Sequence, residues 1–295
     1  MFRNLRVRRQ PVMVGSDEKS ISAEQLKQDA SLPITLRQIN NLPNNAQKRI
    51  YRNLLPPKLV GSFGIDPITW KDPEGNNLVH LETSAEYGKI DLSVKNPTNA
   101  EDDYLFIGLA DNSFNGIDLE LMILSDPRSM RFQTDRDEMG NPTHFGTARR
   151  NLIEEERAMR AGLAPGQVRQ GLRGSRFVLQ NLDTFLTTLG HRAYFLEPLT
   201  YVSAWIFERQ GFAYVRGHKL MDEIHQEFQP GGCLYKALDD SSPFRKPEQR
   251  RSVRGRAWAI QDGILDVMGA RWDGLRMVKQ VGQHAGVETF PDAIY

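Results

Sequence analysis

The densest group of residues that could do chemistry is a loop rich in glycine and arginine. The loop reads Gln167, Val168, Arg169, Gln170, Gly171, Leu172, Arg173, Gly174, Ser175 and Arg176. Glycine lets the main chain approach a bulky anion, and the first N–H groups of a following helix have no partner inside that helix. The arginines could pair with phosphate oxygens. The pattern indicates a phosphate or pyrophosphate site, and a plain helix start with solvated arginines fits the same residues.

The elements that would position this loop can be predicted from spacing. An apolar stripe of period 3.6 predicts a helix after the loop, with Ser175 as its N-cap and Gly190 at its end. Residues 163–170 are predicted to be the strand that leads into the loop. A strand over 192–196, a helix capped by Thr200 and a strand over 212–215 complete the predicted order.

With these elements in this order, residues 164–217 resemble the GNAT N-acyltransferases, which use acetyl-coenzyme A, and the preceding strands resemble them loosely. In that family a loop of pattern Gln/Arg-x-x-Gly-x-Gly/Ala leads into a helix and binds the coenzyme A pyrophosphate. Gln170 takes the first place of the pattern. Arg173 stands where glycine is expected, and Ser175 replaces the last Gly/Ala.

A second family feature is a helix that ends in Tyr-Glu-Lys-x-Gly-Phe. The chain reads Phe-Glu-Arg-Gln-Gly-Phe from Phe207 to Phe212, so the Gly-Phe closure is kept. The tyrosine that usually protonates the leaving thiolate is replaced by Phe207, which has no proton to give. Thr200 stands where an asparagine is common.

The resemblance implies an α+β fold (α/β/α) whose central sheet is mixed, mostly antiparallel and of GNAT type, with splayed middle strands. It implies acetyl-CoA or another acyl-CoA as the cofactor, bound by the loop together with Thr200 and Phe207. The expected reaction is acetyl transfer to a primary amine by direct attack. A backbone N–H near Gln167 or Val168 would then stabilise the oxyanion.

The sequence alone does not identify the general acid and the general base of such a reaction. Glu197 lies in an apolar run, and a half-buried carboxylate there would have a raised pKa and could act as the base. A structural hydrogen-bond acceptor is the other interpretation of Glu197. Tyr201 and Tyr194 are the nearest replacements for the missing tyrosine acid.

A second function from a different class fits the same residues: a catalytically degenerate GNAT-fold module that binds acyl-CoA or a protein partner. Phe207 and the irregular loop favour this module, whereas Gln170 and the glycines favour the enzyme. A gap between the strands at 163–169 and 192–196 that is filled by Arg or Phe side chains would indicate the module.

The rest of the chain predicts an N-terminal arm over residues 1–30, a GNAT-like core over 31–229 and an extension over 230–295 that packs on the core. Alternating apolar residues predict strands over 78–82, 89–94, 104–109 and 118–124, a further hairpin over 130–134 and 142–145, and a charged helix over 151–160. The tail carries six cationic residues between 245 and 256, which could reach the 3′-phosphate of coenzyme A, an acidic protein or RNA, or be solvated.

Composition narrows the function classes. With a net charge of +1 over 295 residues, no global field attracts nucleic acid or an anionic membrane. The single cysteine, Cys233, excludes an internal disulfide and fits a reducing cytoplasm. No apolar run approaches the roughly 20 residues needed to span a bilayer. The spacing of His218, Asp222, Glu223 and His225 fits no standard metal site. The expected partners are a small-molecule or peptide amine and a second copy of the chain in a homodimer.

Overall fold

The computed structural model describes residues 32–95, 101–143 and 149–295. The fold is mixed α+β, as predicted, and is built on a seven-stranded, mostly antiparallel sheet. The strands are β1 (Val79–Ser84), β2 (Lys89–Val94), β3 (Leu105–Asp111), β4 (Ile117–Leu124), β5 (Ala193–Leu196), β6 (Ala213–Arg216) and β7 (Arg276–Gln280). The sheet order is β1-β2-β3-β4-β5-β7-β6. The predicted arm over 1–30 and positions 144 and 145 of the predicted hairpin lie outside the described residues.

The helices precede β1, connect the later strands and follow β6. They are α1 (Leu36–Asn40), α2 (Asn44–Tyr51), α3 (Pro57–Ser62), α4 (Leu152–Arg160), α5 (Ser175–Thr188), α6 (Tyr201–Arg209), α7 (His218–Glu227), α8 (Cys233–Lys236) and α9 (Val253–Gln261). Short 3-10 turns occupy Arg52–Leu54, Pro247–Arg251 and Ile264–Met268.

Strands β1 to β4 form an antiparallel meander with two different faces. The alternation that predicted β2 holds, because Ile90, Leu92 and Val94 are buried while the residues between them are only partly buried. The apolar face packs against α1, α2, α3 and α5 in one large core cluster. On the opposite face, which we call the open face, β1 and β2 carry the polar residues His80 and Asp91. This alternation is typical of a half-covered antiparallel sheet.

Strands β4 and β5 are the one parallel pair of neighbours among the seven described strands. They pair at only two positions, Ile117 with Tyr194 and Asp118 with Phe195. Just beyond those positions β4 contains a β-bulge: Leu119 pairs with Leu109 and Leu121 pairs with Gly108. Glu120 is therefore the extra residue. A bulge bends its strand and increases the local twist, so β4 turns away from β5 after residue 118.

The last strand in sequence, β7, lies between β5 and β6. It pairs antiparallel with both neighbours, from Leu196 with Met277 on one side to Ala213 with Val278 on the other. The predicted extension over 230–295 therefore contributes a strand to the sheet as well as helices beside it. Helices α6 to α9 share a second apolar cluster around Tyr201 and Met221.

Residues 126–143 and 149–170 form an excursion between β4 and α5, and the strand predicted over 163–170 is not formed. Its backbone instead bonds to the start of the excursion: Phe132 N donates to Val168 O at 2.8 Å, and Asp126 N donates to Gln170 O at 2.7 Å. The first strand of the hairpin predicted over 130–134 is also absent. Helix α4 does form where predicted, and the Asn151 side chain accepts from Glu154 N at its start.

Candidate functional site

The glycine–arginine loop lies where β4 ends and α5 begins. Gly171 forms an isolated bridge with Ser125, so the chain returns from the excursion to the end of β4 before it enters α5. Leu172 N donates to Leu124 O at 3.4 Å. Among the described residues, the next four backbone N–H groups, those of residues 173–176, have no hydrogen-bond acceptor. Such a run of free donors at a helix start is an arrangement that binds anions.

The start of α5 differs from the prediction by one residue. Gly174 occupies the N-cap position and Ser175 is the first helical residue, so no side chain caps the helix. Arg173 has φ +54, in the left-handed region that glycine favours. Arg173 thus adopts a glycine-like backbone at the position where the family pattern has glycine. Gly174 is buried, and a Cβ there would lie 3.8 Å from the Leu59 side chain of α3.

The three arginines of the loop do not act alike. Arg169 is buried, donates from Nε to Asp102 Oδ2 at 2.7 Å and also donates to the carbonyl of Ser129. It fixes the excursion to the start of β3 and is not free for a phosphate, because its guanidinium already serves a carboxylate. Arg173 and Arg176 are exposed and form no ion pair within the described ranges. They remain the cationic candidates of this loop.

Gln167 and Val168, expected on a splayed strand, follow a turn at residues 165–166 and form no strand. Gln167 Oε1 accepts from Ala164 N at 2.7 Å, and the Gln167 carbonyl accepts from the Thr134 hydroxyl at 3.0 Å. The expected oxyanion donor near these two residues is therefore not supplied by a strand there. Beyond Asp118, β4 no longer pairs with β5. Antiparallel pairing with β3 uses the N–H groups of every second residue of β4, so the other N–H groups point into the space between β4 and β5.

Glu197 is not half-buried as predicted. Its side chain is 60% exposed, and its Oε1 lies 3.2 Å from Arg276 Nη1. Arg276 Nη2 also contacts both carboxylate oxygens of Asp118, at 2.8 and 3.0 Å. Because Arg276 lies over the Phe195 ring, 5.2 Å from its centre, this side chain reaches from β7 across β5 to β4. These ion pairs of Arg276 lie on the open face, beside the last paired positions of β4 and β5.

The two tyrosines considered as proton donors are both buried. Tyr201 is 1% exposed, and its hydroxyl accepts from Arg256 Nη1 at 3.4 Å inside the second cluster. Tyr194 donates to Asp183 Oδ1 at 3.0 Å. Burial raises the pKa of both hydroxyls, and the charge of Asp183 adds to the rise at Tyr194. Neither residue is a free surface acid.

Thr200 and Phe207 mark the two ends of α6. Thr200 caps the helix as predicted, with its Oγ1 accepting from Ser203 N at 3.1 Å and Ser203 Oγ accepting from Thr200 N at 2.9 Å. Phe207 is partly buried against the first cluster, and its ring meets that of Phe212 edge-on at 5.1 Å. Thr200 therefore has a structural role that accounts for its residue type.

Glu120 was not predicted, although the sequence holds a signal for it. Inward residues of β4 are Ile117 and Leu119 before the bulge and Met122 and Leu124 after it, so the period of two slips by one at Glu120. The Glu120 carboxylate pairs with Lys89 Nζ at 2.9 Å. It is the carboxylate of β4 that lies past the last residue paired with β5.

Several of the cationic side chains between residues 245 and 256 are ion-paired or buried. Arg245 donates to Asp262 Oδ2 at 2.8 Å, Lys246 lies 3.5 Å from Asp240, and Arg256 is 2% exposed. Across the described ranges, no three His, Cys, Asp or Glu side chains come together as a metal would require. Nor does any described helix combine the length and apolar character of a membrane span.

Comparisons with protein-family models, with curated proteins and with solved structures gave no match to this chain.

Proposed function

We propose that the chain is an acyl-CoA-dependent N-acyltransferase with a GNAT-type sheet, which transfers an acyl group, most simply acetyl, to an amine. The observation that carries the proposal is the parallel pair β4–β5, which separates after two paired positions beside a loop with free backbone donors. A thioester arm could enter the gap between the two strands. The pyrophosphate would then bind the N–H groups at the start of α5.

Two further observations support this proposal. Arg173 takes a left-handed backbone where the GNAT pattern has glycine. The strand order also places β7 between β5 and β6, so that β5-α6-β6 is a crossover of parallel strands beside the gap. Backbone N–H groups of β4 that face the gap are the candidate oxyanion donors, in place of residues 167 and 168.

Glu120 is our candidate for the group that takes the amine proton. Asp118 is held by Arg276, and Glu197 is exposed and paired with the same arginine. Glu120 lies past the last paired residue of β4 and is joined to a single lysine. The amine would lose its proton to Glu120, directly or through one water, as it attacks. Phe207 offers no proton to the thiolate, and a thiol pKa of about 8.5 makes a thiolate a tolerable leaving group without one.

The binding test uses an added negative charge that should not harm folding. Acetyl-CoA is titrated by calorimetry into wild type, Ser175→Glu and Gln180→Glu. A carboxylate in the first turn of α5 stabilises the helix but repels a pyrophosphate, so Ser175→Glu should melt no lower and bind at least 10-fold more weakly. Gln180→Glu adds the same charge to an exposed site further along α5, and should bind normally. No binding by wild type at millimolar acetyl-CoA would remove the proposal.

One observation favours a binding module of the same fold. Of the three side chains considered for proton transfer, Glu197 is ion-paired and Tyr194 and Tyr201 are buried. Phe207, at the place of the family's tyrosine acid, carries no proton. A module would bind acetyl-CoA with the same dependence on Ser175. Release of free thiol in the presence of amines separates the two functions: a module gives none above the background without amine.

A further inference from the structure

The sheet consists of two halves that meet along a short seam. Strands β1 to β4 form one half and β5, β7 and β6 form the other, and β4 and β5 pair at only two positions. Each other pair of neighbouring strands among the seven described pairs at three or more positions. The main chain therefore supplies little cohesion between the halves at the point where the gap begins.

On the open face, one side chain crosses this seam. Arg276 of β7 reaches over the Phe195 ring of β5, and its Nη2 lies 2.8 and 3.0 Å from the two carboxylate oxygens of Asp118 on β4. Strands β7 and β4 are two spacings apart, roughly 10 Å. The contact thus joins two strands that are not neighbours and lie in different halves of the sheet.

The bridge is held in place at both of its ends. Asp118 Oδ1 also accepts from the Asn112 side chain at 2.9 Å, and Arg276 Nη1 lies 3.2 Å from Glu197 Oε1. The side chains of Arg276 and Asp118 are only 27% and 25% exposed. Fully exposed ion pairs contribute little, whereas partly buried pairs are screened less by solvent and salt. This bridge can therefore resist separation of the two strands.

The position of the bridge coincides with the vertex of the gap, because Asp118 is the last residue of β4 that pairs with β5. If this position opened, the gap would begin one residue earlier, at Ile117, which is a displacement of about 3.3 Å along the strand. A misplacement of about 1 Å can lower the rate of a reaction about 100-fold. The point at which the strands separate therefore matters for any group that reacts inside the gap.

From this geometry we propose that Arg276 is a positioning residue. Its bridge to Asp118 fixes the point at which β4 and β5 separate, and thereby fixes where a thioester arm lies relative to Glu120. This inference rests on the proposed acyl-CoA function. Arg276 transfers no proton in this role, and its charge is paired with Asp118 and Glu197 rather than with the phosphates of coenzyme A.

The test separates the arm of acetyl-CoA from its nucleotide. Acetyl-CoA and 3′-phosphoadenosine 5′-diphosphate share the nucleotide and the pyrophosphate, but only acetyl-CoA has the arm that would enter the gap. Both are titrated by calorimetry into wild type, Arg276→Met, Arg276→Lys, Asp118→Ala and the control Glu288→Gln. Glu288 pairs with Arg209 at 2.9 Å on the protein surface, so the control removes an Arg–carboxylate pair away from the seam. Hydrogen exchange of each ligand-free protein is followed by mass spectrometry.

Wild type should bind acetyl-CoA at least 10-fold more tightly than the nucleotide. Arg276→Met and Asp118→Ala should lose most of this preference and bind the nucleotide normally, because the start of α5 is unchanged. Arg276→Lys keeps a cation that can reach Asp118 and should retain part of the preference, and Glu288→Gln should retain all of it. Residues 193–196 should exchange at least 10-fold faster in Arg276→Met, with no change over residues 90–94 of β2.

An unchanged preference for acetyl-CoA in Arg276→Met would overturn the inference and leave the proposed function intact. Equal affinities of wild type for the two ligands would also overturn it, because the arm would then gain nothing from the gap. Faster exchange throughout the sheet, β2 included, would show that Arg276 only stabilises the fold. If wild type binds neither ligand, the proposed function fails. The bridge then stands if residues 193–196 exchange faster in Arg276→Met while β2 does not, and falls otherwise.

Discussion

Arg173 carries a backbone strain that a single substitution can remove. Its φ of +54 costs a non-glycine residue about 1–2 kcal/mol. We expect Arg173→Gly to stabilise the protein by about 1 kcal/mol, less the greater freedom that glycine gives the unfolded chain. Arg176→Gly is the control: the same change inside the first turn of α5 should destabilise by about 1 kcal/mol. Urea unfolding measures both, and a loss of stability in Arg173→Gly would contradict the argument.

Glu120 offers a residue-scale test of the proposed proton transfer. Glu120→Gln keeps the size of the side chain but removes the base and the pairing partner of Lys89. We expect kcat to fall by about 100-fold, with acetyl-CoA affinity unchanged. Glu156→Gln on α4 is the control, because Glu156 pairs with Arg160 on the surface of that helix. An unchanged kcat in Glu120→Gln would exclude Glu120 as the base.

Among the elements, the excursion between β4 and α5 depends on one buried carboxylate. Asp102 accepts from both Arg131 and Arg169, and all three side chains are nearly inaccessible. Asp102→Asn would leave the buried guanidinium group of Arg169 without its counter-ion and remove one of the three carboxylates that pair with Arg131, so we expect a loss of about 3–5 kcal/mol. Asp135→Asn removes a more exposed partner of Arg131 and should cost less than about 1 kcal/mol. Chemical denaturation measures both variants. Similar losses would mean that Asp102 is not the main anchor.

Helix α7 contacts the C-terminal segment through a pH-sensitive residue. His225 Nδ1 lies 3.3 Å from Arg256 Nη1, and the His225 ring lies 5.2 Å from that of Phe290. Burial lowers the pKa of His225, and the charge of Arg256 lowers it further, while Asp292 and Asp222 oppose the shift.

Because the folded state favours the neutral ring, the stability contributed by His225 is present above the unfolded pKa of about 6.5 and is lost as pH falls below it. We expect wild type to lose more stability than His225→Gln between pH 7.5 and pH 5.5 in urea unfolding. Both proteins share the other titrating groups, so equal losses would show that His225 does not contribute.

What the sequence could predict at this scale follows from local signals. The alternation in β2 and the cap at Thr200 follow from the types of neighbouring residues, and both predictions are confirmed. The strand expected over 163–170 had no such alternation, and its backbone groups bond to an excursion that no local pattern indicates. Glu197 is paired with Arg276, which is distant in sequence. The spacing of residues along the sequence does not predict sites that are assembled by such long-range contacts.

For the whole molecule, the position of β7 predicts which truncations fold. A chain ending at residue 229 lacks the strand between β5 and β6 and exposes the inner faces of α6 and α7. We expect it to show no cooperative melting transition by circular dichroism. A chain ending at residue 282 keeps β7 but loses Thr289, whose N–H and hydroxyl donate to the buried Glu208 carboxylate at 3.0 and 2.7 Å. It should melt cooperatively at a lower temperature. A cooperative transition in the shorter chain would show that the sheet folds without β7.

The place of β7 in the sheet also affects how the protein can fold while it is synthesised. β7 begins at residue 276, about 60 residues after β6 ends at residue 216. At roughly 5–20 residues per second, the ribosome needs about 3–12 s to add them. During that interval the β1–β4 meander can fold, but β6 has no strand to pair with and β5 presents an open edge to other nascent chains. The yield of soluble protein should therefore depend on how fast the roughly 60 codons between β6 and β7 are translated and on chaperones that cover β5 until β7 emerges.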